Sequence, residues 1–390
     1  MTVAAADTPW PGFRGDGRNI AEQAEPPTTW SDDQSIAWQT KLDGYGQSSP
    51  VVFGESVFVT SISGKSKEKG LVAAYEIKSG ARRWLAEVPA SQLVPDGDMV
   101  SRGAPTPCVD DRAVYTFFES GDLAAFDHGG KQLWHRKLAA EYGEYKGNHG
   151  LGGSPVQSSD AIFLLVDHDG PSYLLAVDKI TGKNLWKTDR PSKISWSSPL
   201  YITAPVPAVV ISSNGSVEAY SAVDGKQLWS VPELEGNTVA SPTLAGDRLI
   251  IGSSDPGETR ALNWQTPSKQ PEVAWRLEKL AASFSSPLAY RDQIYLVNKS
   301  GVAACVDSKT GEALWTERLP GSCWATPLGA AGRVYFFGKD GTTTVVAAGS
   351  KFERLAENRL TIEGRVYGAA AVRGALLLRA GEKLICVGHP

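Results

Sequence analysis

A Ser/Thr-Pro pair recurs along the chain, ending at Pro50, Pro107, Pro155, Pro199, Pro242, Pro287 and Pro327, at intervals of 57, 48, 44, 43, 45 and 40 residues. Such a period restricts the fold more than composition does. Each unit has to be one supersecondary element that buries its apolar faces against its neighbours. The pair opens a short apolar run. An alternating run follows, such as Val57-Phe58-Val59 or Val334-Tyr335-Phe336, then a third, such as Leu174-Leu175-Ala176-Val177-Asp178. These read as strands joined by tight turns. The third run ends in the most specific signature, Asp178-x-x-Thr181-Gly182-x-x-x-Trp186. It recurs as Asp307, Thr310, Gly311 and Trp315, and as Glu76, Ser79, Gly80 and Trp84. Asp accepts backbone N–H groups across the turn, Gly takes the positive φ that closes it, and Trp follows on a fourth, outgoing strand.

Four strands in about 45 residues match the period of a propeller blade. Such a sheet is apolar on both faces, so blades stack. The series Trp38, Trp84, Trp134, Trp186, Trp229, Trp275 and Trp315 is predicted to dock them. Truncating a buried Trp typically costs about 3–5 kcal/mol, reason enough to place one in each blade. In blade five the turn gives way to a looser segment, Gln265 to Glu272. In the seventh unit Ala356 takes the Trp place. An eighth unit starts at Tyr367-Gly368-Ala369-Ala370 and has three runs before the chain ends. Its missing strand is Ile36-Ala37-Trp38-Gln39-Thr40-Lys41-Leu42. The expectation is all-β: an eight-bladed propeller of four-stranded antiparallel blades over 36–390, the last blade closed by the N-terminal strand, with a leader, 1–35, packed on it. Closure leaves no open edge between first and last blades.

The Ser-Pro start, the Asp-x-x-Thr-Gly-x-x-x-Trp turn and the eightfold count resemble the pyrroloquinoline-quinone-like, or tryptophan-docking, propeller repeat family. The leader Trp10-Pro11-Gly12-Phe13-Arg14-Gly15 is similar to the opening of uncharacterised extracytoplasmic members from planctomycete-like bacteria. For the quinone-dependent members, the resemblance implies a quinone over a calcium ion held by Glu, Asn and Asp, with a vicinal disulfide in the alcohol dehydrogenases. This chain has no Cys-Cys pair and blades of near-minimal length. No cofactor and no metal is therefore expected. In length and blade count the chain is also similar to the non-catalytic lipoprotein propellers of outer-membrane β-barrel assembly.

Composition excludes other classes. Net charge is −4 and the cations are scattered, which argues against nucleic-acid binding. No stretch approaches the roughly 18 apolar residues of a membrane span. Cys108, Cys305, Cys323 and Cys386 are isolated and read as small buried hydrophobes. The N-terminus lacks a basic region followed by an apolar one. A periplasmic or extracellular location is expected from the resemblance, with the export signal absent from this chain, and a monomer is expected.

In a propeller, the loop entering the innermost strand lies on the same face as the loop between the second and third strands. The residues three before each Pro therefore outline one rim: Gln47, Ala104, Gly152, Trp196, Val239, Phe284, Trp324 and, in the eighth blade, Tyr367. Nearby stand Tyr45, Arg102, Asn148, His149 and Arg365. Trp196 and Trp324 fall outside the docking series. Aromatics facing polar groups suit a flat or sugar-like ligand, yet large side chains also plug a channel, and both readings stand. Asp167-His168-Asp169-Gly170, with His149 from the same blade, offers carboxylates and imidazoles for a cation or acid–base work, but Asp-x-Asp-Gly is also ordinary turn chemistry, and the turn is the preferred reading. His128 and His135 are expected at the surface. The functional expectation is a non-catalytic propeller that binds a protein or glycan partner through its channel face. The alternatives are a carbohydrate-active enzyme or a quinone-dependent dehydrogenase.

Overall fold

The computed structural model describes residues 9–94, 97, 99–147, 149–234, 236, 238–253, 257–264 and 269–390. Eight four-stranded antiparallel sheets follow one another around a central channel. The eighth pairs Ile36–Lys41 with Lys383–Gly388, so the N-terminal strand closes the last blade as expected. Among the described residues the single helix is Leu138–Tyr142. Proline suits the entry to each innermost strand, since it leaves no N–H unpaired at the channel edge.

The docking contact can be read atom by atom. Each docking Trp lies opposite a small residue of the third strand: Ala74 for Trp84, Ala125 for Trp134, Ala176 for Trp186, Cys305 for Trp315. A register shift beside each pair re-aims the indole toward the next blade. There the ring lies over the turn glycine. A Cβ on Gly80 would sit 2.5 Å from Trp38, on Gly182 2.7 Å from Trp134, and on Gly225 2.5 Å from Trp186. Glycine is thus required twice, for its positive φ and for the indole above it. The indole N–H then donates to a carbonyl of the same turn: Trp38 to Ile77 at 2.8 Å, Trp134 to Lys179 at 2.9 Å, Trp186 to Ala222 at 3.0 Å.

Two blades depart from the pattern. Trp229 points at blade five, where 265–268 of the looser segment lie outside the described residues. Its Nε1 has no hydrogen-bond partner among the described residues, and Trp264 packs edge-on against it at 5.8 Å. Blade seven has Ala356 in the Trp place, and the leader fills the gap. In other blades the second-strand aromatic meets its own docking Trp, as Tyr115 does Trp134 at 6.2 Å and Tyr295 does Trp315 at 6.1 Å. The blade-seven equivalent, Tyr335, instead stacks on Trp30 at 6.3 Å. Asn358 clamps the leader by accepting from the Trp30 backbone N–H and donating to the Thr28 carbonyl, each at 2.9 Å. Trp30, 2% exposed, therefore supplies from the leader the ring that blade seven lacks.

The leader runs across the face opposite the rim, and residues 1–8 lie outside the described residues. Trp10 exchanges backbone hydrogen bonds with Val52, the Pro11 carbonyl accepts from Val109, and Asn19 donates to Pro327. Buried Arg14 reaches blade five, donating to Thr243 Oγ1 and the Pro242 carbonyl at 2.7 Å each. Phe13 projects into the channel.

A buried polar network braces blades three and four. The Arg190 guanidinium, with no exposed side-chain surface, bonds Asp167 at 3.1 Å and also meets Glu218. Tyr220 and Ser216 donate to the same glutamate. Burial alone would raise the Glu218 carboxyl, but Arg190 and these donors override it and hold it down at about 2.

Two expectations follow. Trp30→Ala is expected to destabilise the fold about as much as Trp186→Ala, roughly 3–5 kcal/mol each, read from urea-denaturation midpoints. A leader that merely lies on the surface would lose far less. The Glu218 contribution is present above the ordinary glutamate range and is lost as pH falls from there toward about 2. Glu218→Gln should flatten that acid limb of the stability-versus-pH curve.

Candidate functional site

The channel is a funnel of ≈ 620 Å³. All eight rim positions read from the repeat, Gln47, Ala104, Gly152, Trp196, Val239, Phe284, Trp324 and Tyr367, line it. It is an open cavity, with Phe13 among the residues that line it. The large rim side chains therefore line an open mouth.

Below the aromatics lies a ring of hydroxyls, from the Ser or Thr of each Ser/Thr-Pro pair. The Ser49 N–H donates to Thr106 Oγ1, Thr106 to Ser154, Ser154 to Ser198, Ser198 to Ser241, Ser241 to Ser286 and Ser286 to Thr326, at 2.9–3.0 Å. Blades one to seven are thereby bonded in series around the channel. At the eighth blade Ala369 takes the hydroxyl position. The chain there comes so close to blade one that a Cβ on Gly368 would lie 2.0 Å from Ser49 Oγ.

The wall is built of aromatic rings that carry cations. Trp324 packs edge-on against Phe284 at 5.0 Å and Tyr367 at 6.2 Å. Arg365 lies over Trp324 at 4.7 Å and Lys339 over the same ring at 5.5 Å, while Lys299 lies over Phe284 at 5.8 Å. Tyr45 and Arg102 stand one layer back from the cavity. Arg102 lies over the Tyr45 ring at 5.1 Å, and the Tyr45 hydroxyl meets that of Tyr367 at 2.7 Å. Trp196 is pinned by its indole N–H to the Gly150 carbonyl at 3.0 Å and packs on His149 at 5.6 Å. Asn148 lies outside the described residues.

Of the Asp167, His168, Asp169 and His149 group, only His149 lines the funnel. Asp167 and His168 line a small cavity of ≈ 60 Å³, together with His149 and Trp196. Asp167 has no exposed side-chain surface and accepts from Arg190, from Ser195 at 2.8 Å and from Ser213 at 2.6 Å. His168 accepts the Lys146 N–H on Nδ1 and bonds the Pro171 carbonyl through Nε2, at 3.1 and 3.0 Å. That pairing sets a neutral tautomer, and burial keeps its pKa below the ordinary histidine value. Asp169 is exposed on the loop. His128 and His135 are half-buried rather than at the surface: His128 bonds the Asp110 carbonyl and His135 the buried Asp122 carboxylate. The four cysteines are free and buried.

A calcium ion held by Glu, Asn and Asp ligands finds no such donor set here. No Asp, Glu or Asn is among the described residues lining the funnel. No cluster of three or more His, Cys, Asp or Glu suited to a metal occurs among the described residues. No described helix is long and apolar enough to cross a membrane. Sequence reasoning missed Phe13, Lys299, Lys339 and the function of the hydroxyls. The Ser/Thr before each Pro was the available signal for the last of these.

Among known proteins, the outer membrane protein assembly factor BamB of Burkholderia pseudomallei is 27% identical over 216 residues, covering 52% of each chain. A polyvinylalcohol dehydrogenase from a Pseudomonas species is 24% identical over 360 residues, 80% of this chain and 52% of that one. The chain thus spans about half the length of these curated relatives. The crystal structure of BamB from Moraxella catarrhalis shares the fold, with a TM-score of 0.64 at 15% identity over 90% of this chain and 96% of that one. A family model described as outer membrane protein assembly factor BamB matches residues 12–165 and 130–351, most of the propeller, and the chain belongs to that family.

Proposed function

We propose that this chain is a non-catalytic propeller of the periplasm or cell exterior that binds a protein partner, as a monomer, through its funnel face. The observation that carries this reading is the one-sided construction of the channel. The leader covers one face, while aromatic rings, cations and a cavity of ≈ 620 Å³ all gather on the other. Family membership supports it, since the matching relatives are named as outer-membrane assembly factors. A dehydrogenase among the relatives keeps quinone-dependent oxidation as the alternative, but the funnel wall offers no acidic ligands for it among the described residues. A carbohydrate-active reading loses its general acid, because Asp167 is held by Arg190 and two serines. A neutral glycan needs an open ring face for stacking, and Trp324 and Phe284 already carry cations.

Site-specific photo-crosslinking in the native envelope tests the reading. A crosslinker at Met99 or Lys299, beside the funnel mouth, is expected to trap one defined protein. The same group at exposed Leu133 or Lys226, away from the mouth, is expected to trap none. Equal trapping at all four positions would overturn the funnel-face reading. Dye-linked alcohol oxidation after incubation with the quinone and calcium would transfer the chain to the alternative.

A further inference from the structure

The hydroxyl ring has a chemical consequence beyond bonding blades together. Thr106, Ser154, Ser198, Ser241 and Ser286 are at most 3% exposed, and each oxygen already accepts a backbone N–H from the preceding blade. A hydroxyl used as acceptor still has its proton to give. Among the described residues no protein acceptor takes any of these five protons, and all five side chains line the funnel. The floor therefore carries five O–H donors that no described protein acceptor takes.

The rest of the cavity has the same preference. Of the 390 residues 43 are acidic, yet none of the twenty described lining residues is. Lys299 and Lys339 hold their ammonium groups over Phe284 and Trp324 at the rim, and neither has a carboxylate partner among the described residues. Each ammonium lies over a ring face at the rim and keeps N–H donors for an acceptor in the mouth. Donors below and cations above favour an anionic acceptor, and carboxylate matches both. A ligand that meets both the floor and the rim has to be elongated. The exposed Met99 side chain and Val239 add apolar contact between them.

We infer that the funnel takes an extended acidic segment of a protein partner, one carboxylate meeting the hydroxyl ring and further carboxylates meeting Lys299 and Lys339. This inference rests on the protein-binding reading and names the chemistry of its partner.

Calorimetric titration with short oligoglutamate, oligoglutamine of equal length and free glutarate tests it on the intact chain. Oligoglutamate should bind and weaken as salt rises, oligoglutamine should not bind, and glutarate should bind far more weakly. Lys299→Gln combined with Lys339→Gln should weaken oligoglutamate binding on the order of fivefold to tenfold, at an unchanged melting temperature. Ser241→Ala should weaken it as well, and Ser241→Thr should restore it, because Thr106 already serves in the same ring. If Ser241→Ala lowers the melting temperature, the lysine pair alone decides. Equal binding of oligoglutamine, or indifference to the lysine pair, would overturn the acidic segment. Glutarate binding as tightly as oligoglutamate would overturn the extended ligand in favour of a small acid. Should the crosslinking above trap a partner whose binding ignores the lysine pair and salt, the protein-binding reading stands and this inference fails.

Discussion

Everything in this molecule depends on an indole lying over the glycine of the next blade's turn. A four-stranded sheet with two apolar faces has no stable existence alone, so the contact between blades has to be strong and also specific in register. The indole meets both needs. It removes a large apolar area from water, and its one N–H reaches a carbonyl that only the correctly seated turn presents, as Ala222 does for Trp186. A side chain on the turn glycine would push the two blades apart, because the space for its Cβ is taken by the ring. Asp178 and Asp307 stabilise the same turn from inside, each accepting from the threonine N–H three residues on, at 2.7 and 2.8 Å. The signature residues thus converge on one small object, repeated around the circle.

Closure makes the weakest step decisive, since a ring opens wherever one interface fails. Blade seven has no indole of its own, and the leader supplies one through Trp30, seated on Tyr335 where the in-blade ring would be. The strand that follows the leader, Ile36–Lys41, closes the last blade, and the leader places Phe13 in the channel. A single N-terminal segment therefore completes the propeller circle and lines the funnel. Its polar anchors are Arg14, next to Phe13, on blade five and Asn19 on blade seven.

The frame was legible in the sequence because its requirements are local. Turn geometry demands Asp, Thr and Gly at set spacing, strand pairing demands alternation, and both repeat. The rim was legible for the same reason: a fixed offset from Pro50, Pro107 and their equivalents found all eight wall positions. What escaped was long-range. Nothing near Trp30 marks it as the partner of Tyr335, some three hundred residues away, and nothing near Phe13 says that it reaches the channel. The Asp167-His168-Asp169 run was chemically suggestive, but what surrounds it was not legible. Arg190, Ser195 and Ser213, which surround that carboxylate, come from other strands and loops. Local chemistry cannot tell a catalytic carboxylate from one held by a buried guanidinium, because the difference lies in who arrives from elsewhere.

The division between frame and funnel also explains why one architecture serves both assembly factors and dehydrogenases. The docking turns sit at the blade periphery, and the hydroxyl ring needs only a small hydroxyl residue at one position per blade. Neither constrains what projects into the mouth. The rim residues are three positions before each proline, in loops whose backbone is bonded to the neighbouring blade, as the Trp196 N–H is to Thr238 at 2.9 Å. Their side chains can therefore change without disturbing the circle. In this chain the change runs in one direction. Aromatics on blades six and seven carry lysines or arginine, carboxylates are absent from the described wall, and the acid nearest the third-blade rim is locked behind Trp196. A funnel meant to hold a divalent cation needs the opposite distribution, because each nearby lysine disfavours the ion that each carboxylate would attract. Charge placement at the mouth, rather than the fold, is what sets this funnel against a divalent cation.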